Sequence, residues 1–255
     1  MTRRLTVLAL VALVVAGCGS GSDDDPGDSS GPLVVSAASS LQKAFTDYAT
    51  RWGGGNVRFS FAGSDELAAQ IQQGVKPDVF ASANTKLPDE LHSKDLVEKP
   101  TVFAGNRLVL AVPAKSDKVG SLEDVERPGV RVAIGSETVP IGSYTLGVLG
   151  RLPQAERAKI MANVRSKEPD VKGIVGKLTQ GAVDAGFVYI TDVKAANGAL
   201  EAIELPESLK PSAAYGVAVV KGAKHPDAAR RFISGLIRGG GRRALLAAGF
   251  EPPPQ

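Results

Sequence analysis

One cysteine and two histidines stand in 255 residues. A lone thiol forms no internal disulfide, and a Cys-rich zinc site is implausible with it. Two histidines leave little room for a His-based metal site. Aromatic residues make up only 5% of the chain, and the formal charge is +3, with the 30 Lys and Arg spread along the sequence. Without a basic stripe or interleaved aromatics there is no nucleic-acid footprint. Phosphate-cradling loops are missing too. Gly173-Ile174-Val175-Gly176-Lys177-Leu178 comes closest to G-x-x-x-x-G-K-[ST], and fails in spacing and in the missing hydroxyl. No G-x-G-x-x-G follows a strand, and no G-x-S-x-G elbow occurs. His225 precedes Pro226 and Asp227 at a helix start and reads as a surface residue, as does His92 in its polar stretch. A Ser-His-Asp triad therefore has no support, and an enzyme is not expected. What is present is ordinary globular material, 43% hydrophobic and 22% charged. That excludes disorder, collagen and coiled coil, and the length holds one large domain or two lobes.

The N-terminus predicts export. Thr2-Arg3-Arg4 is a basic start, and Leu5 to Ala16 is an apolar run too short to span a bilayer comfortably. Residues 1–17 thus read as a signal peptide. They end in Val15-Ala16-Gly17-Cys18, which resembles the bacterial lipobox, where small residues precede a cysteine that is lipidated. This explains the place of the only cysteine. Residues 18–31 are Gly, Ser, Asp and Pro almost throughout and predict a flexible tether. Loss of Arg3 and Arg4 takes the charge from +3 to +1. The expectation is a nearly neutral domain outside the cytoplasm, held to the membrane only through Cys18. One acyl chain binds marginally, so more than one is implied.

From Leu33 onward strands and helices alternate. Leu33–Ala38, Val57–Phe61 and Asp78–Ala83 read as strands, with helices at Leu41–Trp52 and Asp65–Gln73 between them. Later runs at 108–112, 130–134, 185–189 and 215–220 read as strands. Helices are predicted near 143–152, 170–179, 226–237 and 242–248. This order predicts α/β architecture, with mostly parallel sheets flanked by helices. There is more of it than one β-α-β-α-β unit needs. The runs at 108–112 and 215–220 would cross between two lobes, the first built from 32–111 plus 216–255 and the second from 112–215. A cleft between such lobes is a favoured ligand site.

Several helix starts carry the chemistry. Ser39-Ser40, Gly63-Ser64, Pro140-Ile141 and Asp170-Val171 each open a predicted helix. A helix start offers unbonded backbone N–H groups and the positive end of a dipole. Several converging on one cleft would hold an anion without any Lys or Arg. Each alone is also what an ordinary N-cap looks like, so the inference rests on the set.

The set resembles the molybdate-binding proteins of bacterial ABC transporters. The resemblance runs through Ser36–Leu41, Phe61–Ile71 and Gly74–Ala83, and resumes at Val139–Gly142, Asp170–Gly173 and Gly186–Tyr189. It implies a two-lobe periplasmic-binding-protein fold of type II that closes on molybdate, and on tungstate, and delivers it to an ABC permease. By the motifs, Ser40 and Ser64 would each donate a hydroxyl and a backbone N–H. Ile141 and Val171 would each donate a backbone N–H, and Tyr189 its phenol. No direct metal ligand, cofactor or nucleic acid is implied, and a monomer is expected. The chemistry agrees: a tetrahedral dianion only accepts hydrogen bonds, and a cage of N–H and O–H donors satisfies it. Phosphate near pH 7 carries a proton that such a cage rejects; excluding sulfate requires cavity size. Asp65 and Ile141 depart from the family's smaller residues. An Asp65 turned inward would admit phosphate; turned outward it would favour the helix dipole. The bulk of Ile141 would reshape the pocket, and Tyr189 alone also reads as a core tyrosine. The competing readings are a receptor for sulfate or phosphate, and an enzyme on the same fold.

Overall fold

Leu33–Ala38 forms strand β1, buried along nearly its whole length. Such a run of small and branched apolar residues suits a strand covered on both faces. A 3-10 turn at Ser39–Leu41 leads into helix α1 (Gln42–Ala49), whose Ala44, Phe45 and Tyr48 face the core. β2 (Val57–Ala62) alternates in burial, as befits a sheet edge, and α2 (Ser64–Gln72) buries Leu67, Ala68 and Ile71 on one face. β3 (Val79–Ser82), α3 (Lys86–Ser93) and the long β4 (Thr101–Pro113) follow. Then come β5 (Val132–Gly135), α4 (Pro140–Leu149), α5 (Gln154–Ala162) and β6 (Val164–Glu168). The chain continues through α6 (Val171–Thr179), β7 (Ala185–Tyr189), α7 (Ile190–Ala195) and β8 (Leu200–Ile203). It closes with β9 (Ser212–Val219), α8 (Pro226–Arg238) and α9 (Gly240–Ala248). This computed structural model describes residues 31–209 and 212–254. The predicted signal peptide, the lipidated Cys18 and the tether up to residue 30 lie outside the described residues.

The strands run in the order β2-β1-β3-β9-β4-β7-β5-β6, with β8 also on β4. β1 is parallel to β2 and β3, and β5 is parallel to β6 and β7. β9 is antiparallel to both β3 and β4. β4 belongs to two neighbourhoods. Its residues Thr101–Arg107 pair with β9, Leu108–Ala111 pair with β7, and Leu110–Pro113 pair with β8. The sheet therefore has two parallel halves joined by antiparallel strands. α8 packs on the half containing β1, with the Phe232 ring 5.8 Å from Phe45 and 4.8 Å from Tyr48. Parallel strands followed directly by helices set the helix starts along the carboxyl edge of each half-sheet.

One sequence reading is corrected here. His225 is not a surface residue: its side chain is 11% exposed, and its ring Nδ1 lies 3.1 Å from Asp78 Oδ2. Asp78, 1% exposed, also accepts the backbone N–H groups of His225 and Val34, each at 2.8 Å. A buried carboxylate requires donors, and the entry to α8 supplies them from 147 residues away. His92 is exposed, as expected, with Nδ1 3.1 Å from the Val97 carbonyl.

Candidate functional site

The five predicted residues Ser40, Ser64, Ile141, Val171 and Tyr189 line a single cleft. Its other walls come from Ala38, Gly63 and Ala83 on one half and from Val139, Pro140 and Asp170 on the other. The cavity in the cleft is small, about 20 Å³. No Lys, Arg or His lines it. Among the described residues no group of three His, Cys, Asp or Glu stands close enough to hold a metal ion.

Ser64 is the first residue of α2, after Gly63, and caps nothing with its side chain. Its Oγ accepts the Ala83 backbone N–H at 3.1 Å, which leaves the hydroxyl proton to donate elsewhere. The first bond inside α2 runs from Leu67 N–H to the Gly63 carbonyl at 3.1 Å, so the N–H groups before it have no acceptor in the helix. Ser40 lies in the 3-10 turn, and its Oγ stands 3.0 Å from the Tyr215 hydroxyl. Neither serine spends its oxygen on a cap, so the ordinary N-cap role does not account for them.

On the facing side, Pro140 takes the first position of α4, where a missing N–H is no loss. Ile141 follows, and the first bond of α4 begins only at Ser143, whose N–H meets the Val139 carbonyl at 3.0 Å. Close packing fixes this turn: a Cβ on Gly142 would stand 1.8 Å from the Ser136 carbonyl oxygen. The Ile141 side chain is accommodated over Gly135, where a Cβ would come within 2.6 Å of Ile141 Cγ2. Val171 opens α6. Its neighbour Asp170 turns Oδ1 into the helix to accept the Gly173 N–H at 3.1 Å.

Tyr189 ends β7, 1% exposed, and its hydroxyl has no partner within hydrogen-bond geometry. Burial, and then the nearby Tyr215, Tyr144 and Asp192, push its pKa well above the ordinary phenol value. It is a neutral donor at any physiological pH. A buried phenol at a strand end without a partner points to a ligand acceptor.

Sequence reasoning missed what stands behind the cleft. Asn106 and Tyr215, both wholly buried, connect to Ser40, and Asn106 also reaches Thr191 at 2.9 Å. Asp192 is buried as well, with Oδ1 3.2 Å from Lys172 Nζ and Oδ2 unbonded. Burial raises its pKa to about 6, against the opposing pull of Lys172. Asp65 turns away from the cleft: its Oδ2 accepts the Thr138 hydroxyl at 2.9 Å across the mouth. Beside it the two sides nearly touch, since a Cβ on Gly63 would stand 2.6 Å from the Pro169 carbonyl oxygen.

Two half-sheets sharing β4, with helix starts facing one another over a small cleft, define a two-lobe periplasmic-type solute-binding protein. Residues 33–251 match the bacterial extracellular solute-binding protein family. The chain belongs to that family, and within it to the ModA group of its curated relatives. It is 34% identical to the molybdate-binding protein ModA of Mycobacterium tuberculosis over 99% of this chain and 97% of that one. A solved substrate-binding domain of a putative molybdenum ABC transporter from Clostridium difficile is 28% identical, with a TM-score of 0.66 over 88% of this chain and 99% of that one. The periplasmic molybdate-binding protein of Azotobacter vinelandii, at 22% identity, shares the fold with a TM-score of 0.78, over 87% of this chain and all of that one.

Proposed function

We propose that this protein captures molybdate, and with it tungstate, outside the cytoplasm and delivers the ion to an ABC permease. The observation that carries this reading is the donor character of the cleft. Ser40 and Ser64 have hydroxyls not spent on caps, the first turns at Ile141 and Val171 have free N–H groups, and the buried Tyr189 hydroxyl has no partner. Such a cage suits an ion whose four oxygens only accept. Asp65, the residue that would have favoured a protonated ligand, bonds Thr138 instead. The 34% identical relative is named for molybdate binding, which supports the same ligand.

The lobes of this reading are 32–111 with 216–255, and 112–215. Closing them on the ion completes the donor set. The signal peptide 1–17, lipidation at Cys18 and the tether 18–31 belong to the same proposal, which makes the protein a monomeric, membrane-anchored receptor and not an enzyme. Thermal unfolding of residues 32–255 with molybdate, tungstate, sulfate or phosphate tests it. A ligand at 100 times its dissociation constant adds about 2.7 kcal/mol. Stabilisation by molybdate and tungstate alone is expected. An equal shift with sulfate or phosphate removes the molybdate assignment, and no shift with any of the four removes the receptor.

A further inference from the structure

The Asn106 amide is fixed from both ends. Its Oδ1 accepts the Arg107 backbone N–H at 2.9 Å, so its Nδ2 must face Thr191 Oγ1 at 2.9 Å and the Tyr215 hydroxyl at 3.2 Å. An amide nitrogen only donates. The Tyr215 oxygen therefore accepts, and its own proton needs an acceptor. Ser40 Oγ, 3.0 Å away, is the partner the structure gives it. Were Ser40 the donor instead, the Tyr215 proton would have no hydrogen-bonded acceptor at this fully buried position, since the neighbouring Tyr189 hydroxyl makes no hydrogen bond here. Burial also holds the Tyr215 proton in place, far above the ordinary phenol range. Once Ser40 Oγ has accepted from Tyr215, its remaining proton is directed to the cleft that Ser40 lines.

We propose that Tyr215, oriented by Asn106, is a positioning residue that commits Ser40 to donate toward the cleft. It thereby acts as a specificity determinant, favouring acceptor-only dianions over protonated oxyanions such as hydrogen phosphate. This rests on the oxyanion reading above and adds to it a residue outside the cleft. Ser64 shows the same device in simpler form, its Oγ occupied by the Ala83 N–H. At Ser64 the commitment comes from backbone. At Ser40 it comes from a side-chain relay that substitution can reverse.

The test is calorimetric titration of molybdate and of inorganic phosphate, at pH 6.5, into the wild type, Tyr215→Phe, Ser40→Ala and the double variant. Tyr215→Phe frees a lone pair on Ser40 and lets its hydroxyl turn. The expected result is an approximately tenfold loss of molybdate affinity, with phosphate affinity unchanged or raised. In the Ser40→Ala background the same substitution should change molybdate affinity by less than about twofold, because coupled residues fail to add. An equal loss in both backgrounds, or an unchanged ratio of molybdate to phosphate affinity, overturns the relay. A wild type that binds no molybdate overturns the oxyanion reading itself. If Tyr215→Phe unfolds, Asn106→Leu releases the Tyr215 oxygen by another route and must narrow the same ratio; failure to do so also overturns the relay.

Discussion

Tyr189→Phe separates a ligand donor from a core tyrosine, because the two roles give opposite signs. The ring is buried, and T-shaped contacts hold it against Tyr215 (5.8 Å) and Tyr144 (6.4 Å). Phenylalanine keeps those contacts and removes only the hydroxyl. In the ligand-free protein that hydroxyl has no partner, so its removal should cost no stability and should add up to about 1 kcal/mol. For a domain of this size that is a rise of about 2–4 °C. With ligand the sign reverses, since a charge-assisted hydrogen bond is worth about 1.5–3 kcal/mol, or about 10- to 150-fold in affinity. At a molybdate concentration that stabilises the wild type by about 2.7 kcal/mol, a 30-fold weaker variant gains only about 0.9 kcal/mol. Paired melting curves with and without molybdate read both quantities at once. A ligand-free melting temperature that falls, with an unchanged molybdate shift, would refute the reasoning and return Tyr189 to the core.

Further outcomes follow from the same geometry. Ser40→Ala and Ser64→Ala should each weaken molybdate binding by about 1.5–3 kcal/mol; full affinity in both variants would mean the pocket is misassigned. Ser64→Ala should also lower the melting temperature, since the Ala83 N–H loses its acceptor. Gly63→Ala should weaken binding. Its φ of −59° suits alanine, but the added Cβ meets the Pro169 carbonyl on the facing side of the cleft. A titration showing wild-type affinity would rule out closure against Pro169. For Asp192 the folded pKa of about 6 lies above the ordinary 3.8. Its contribution to stability is therefore full below pH about 4 and is lost as pH rises to about 6. Relative to the wild type, Asp192→Asn should gain roughly 3 kcal/mol across that window and nothing above it. Parallel unfolding curves at all pH values would contradict this.

How far the sequence could be read depends on where each residue finds its partners. β1 appears over the very residues its apolar run marks, and α2 buries the three residues its spacing selects. Ser40, Ser64, Ile141 and Val171 come together because each follows a strand whose direction is set by parallel pairing. Chain direction then places the helix starts on one edge. β6 leaves no such mark: its Val164–Glu168 carries one apolar residue and pairs only along one side. α3 buries little beyond Pro88 and Leu91, and its Pro argues locally against a helix. Thr101–Arg107 contains Gly105 and Asn106 and does not read as a strand, yet it forms the first half of β4. Asn106 finds its side-chain partners 85 and 109 residues away, and no local pattern encodes them. His225 fails in the same way, because the neighbours that suggest a surface turn say nothing of Asp78.

β4 passes from one half of the sheet to the other without a loop. Arg107 pairs with Ser212, and the next residue, Leu108, pairs with Tyr189. If the two halves close as proposed, a joint of this kind would act as a leaf spring and not as a pin, because a continuous paired strand has no loop to swing on. In the proposed closure the strand that would flex also supports the cleft, since Asn106, one residue before this seam, holds Tyr215 behind Ser40, and Tyr189 is paired across it. Under the proposed closure, opening the cleft and loosening its donors would be a single mechanical coordinate. Stiffening or softening the strand at 106–108 would retune how readily the two halves part and how firmly an ion is held, both at once.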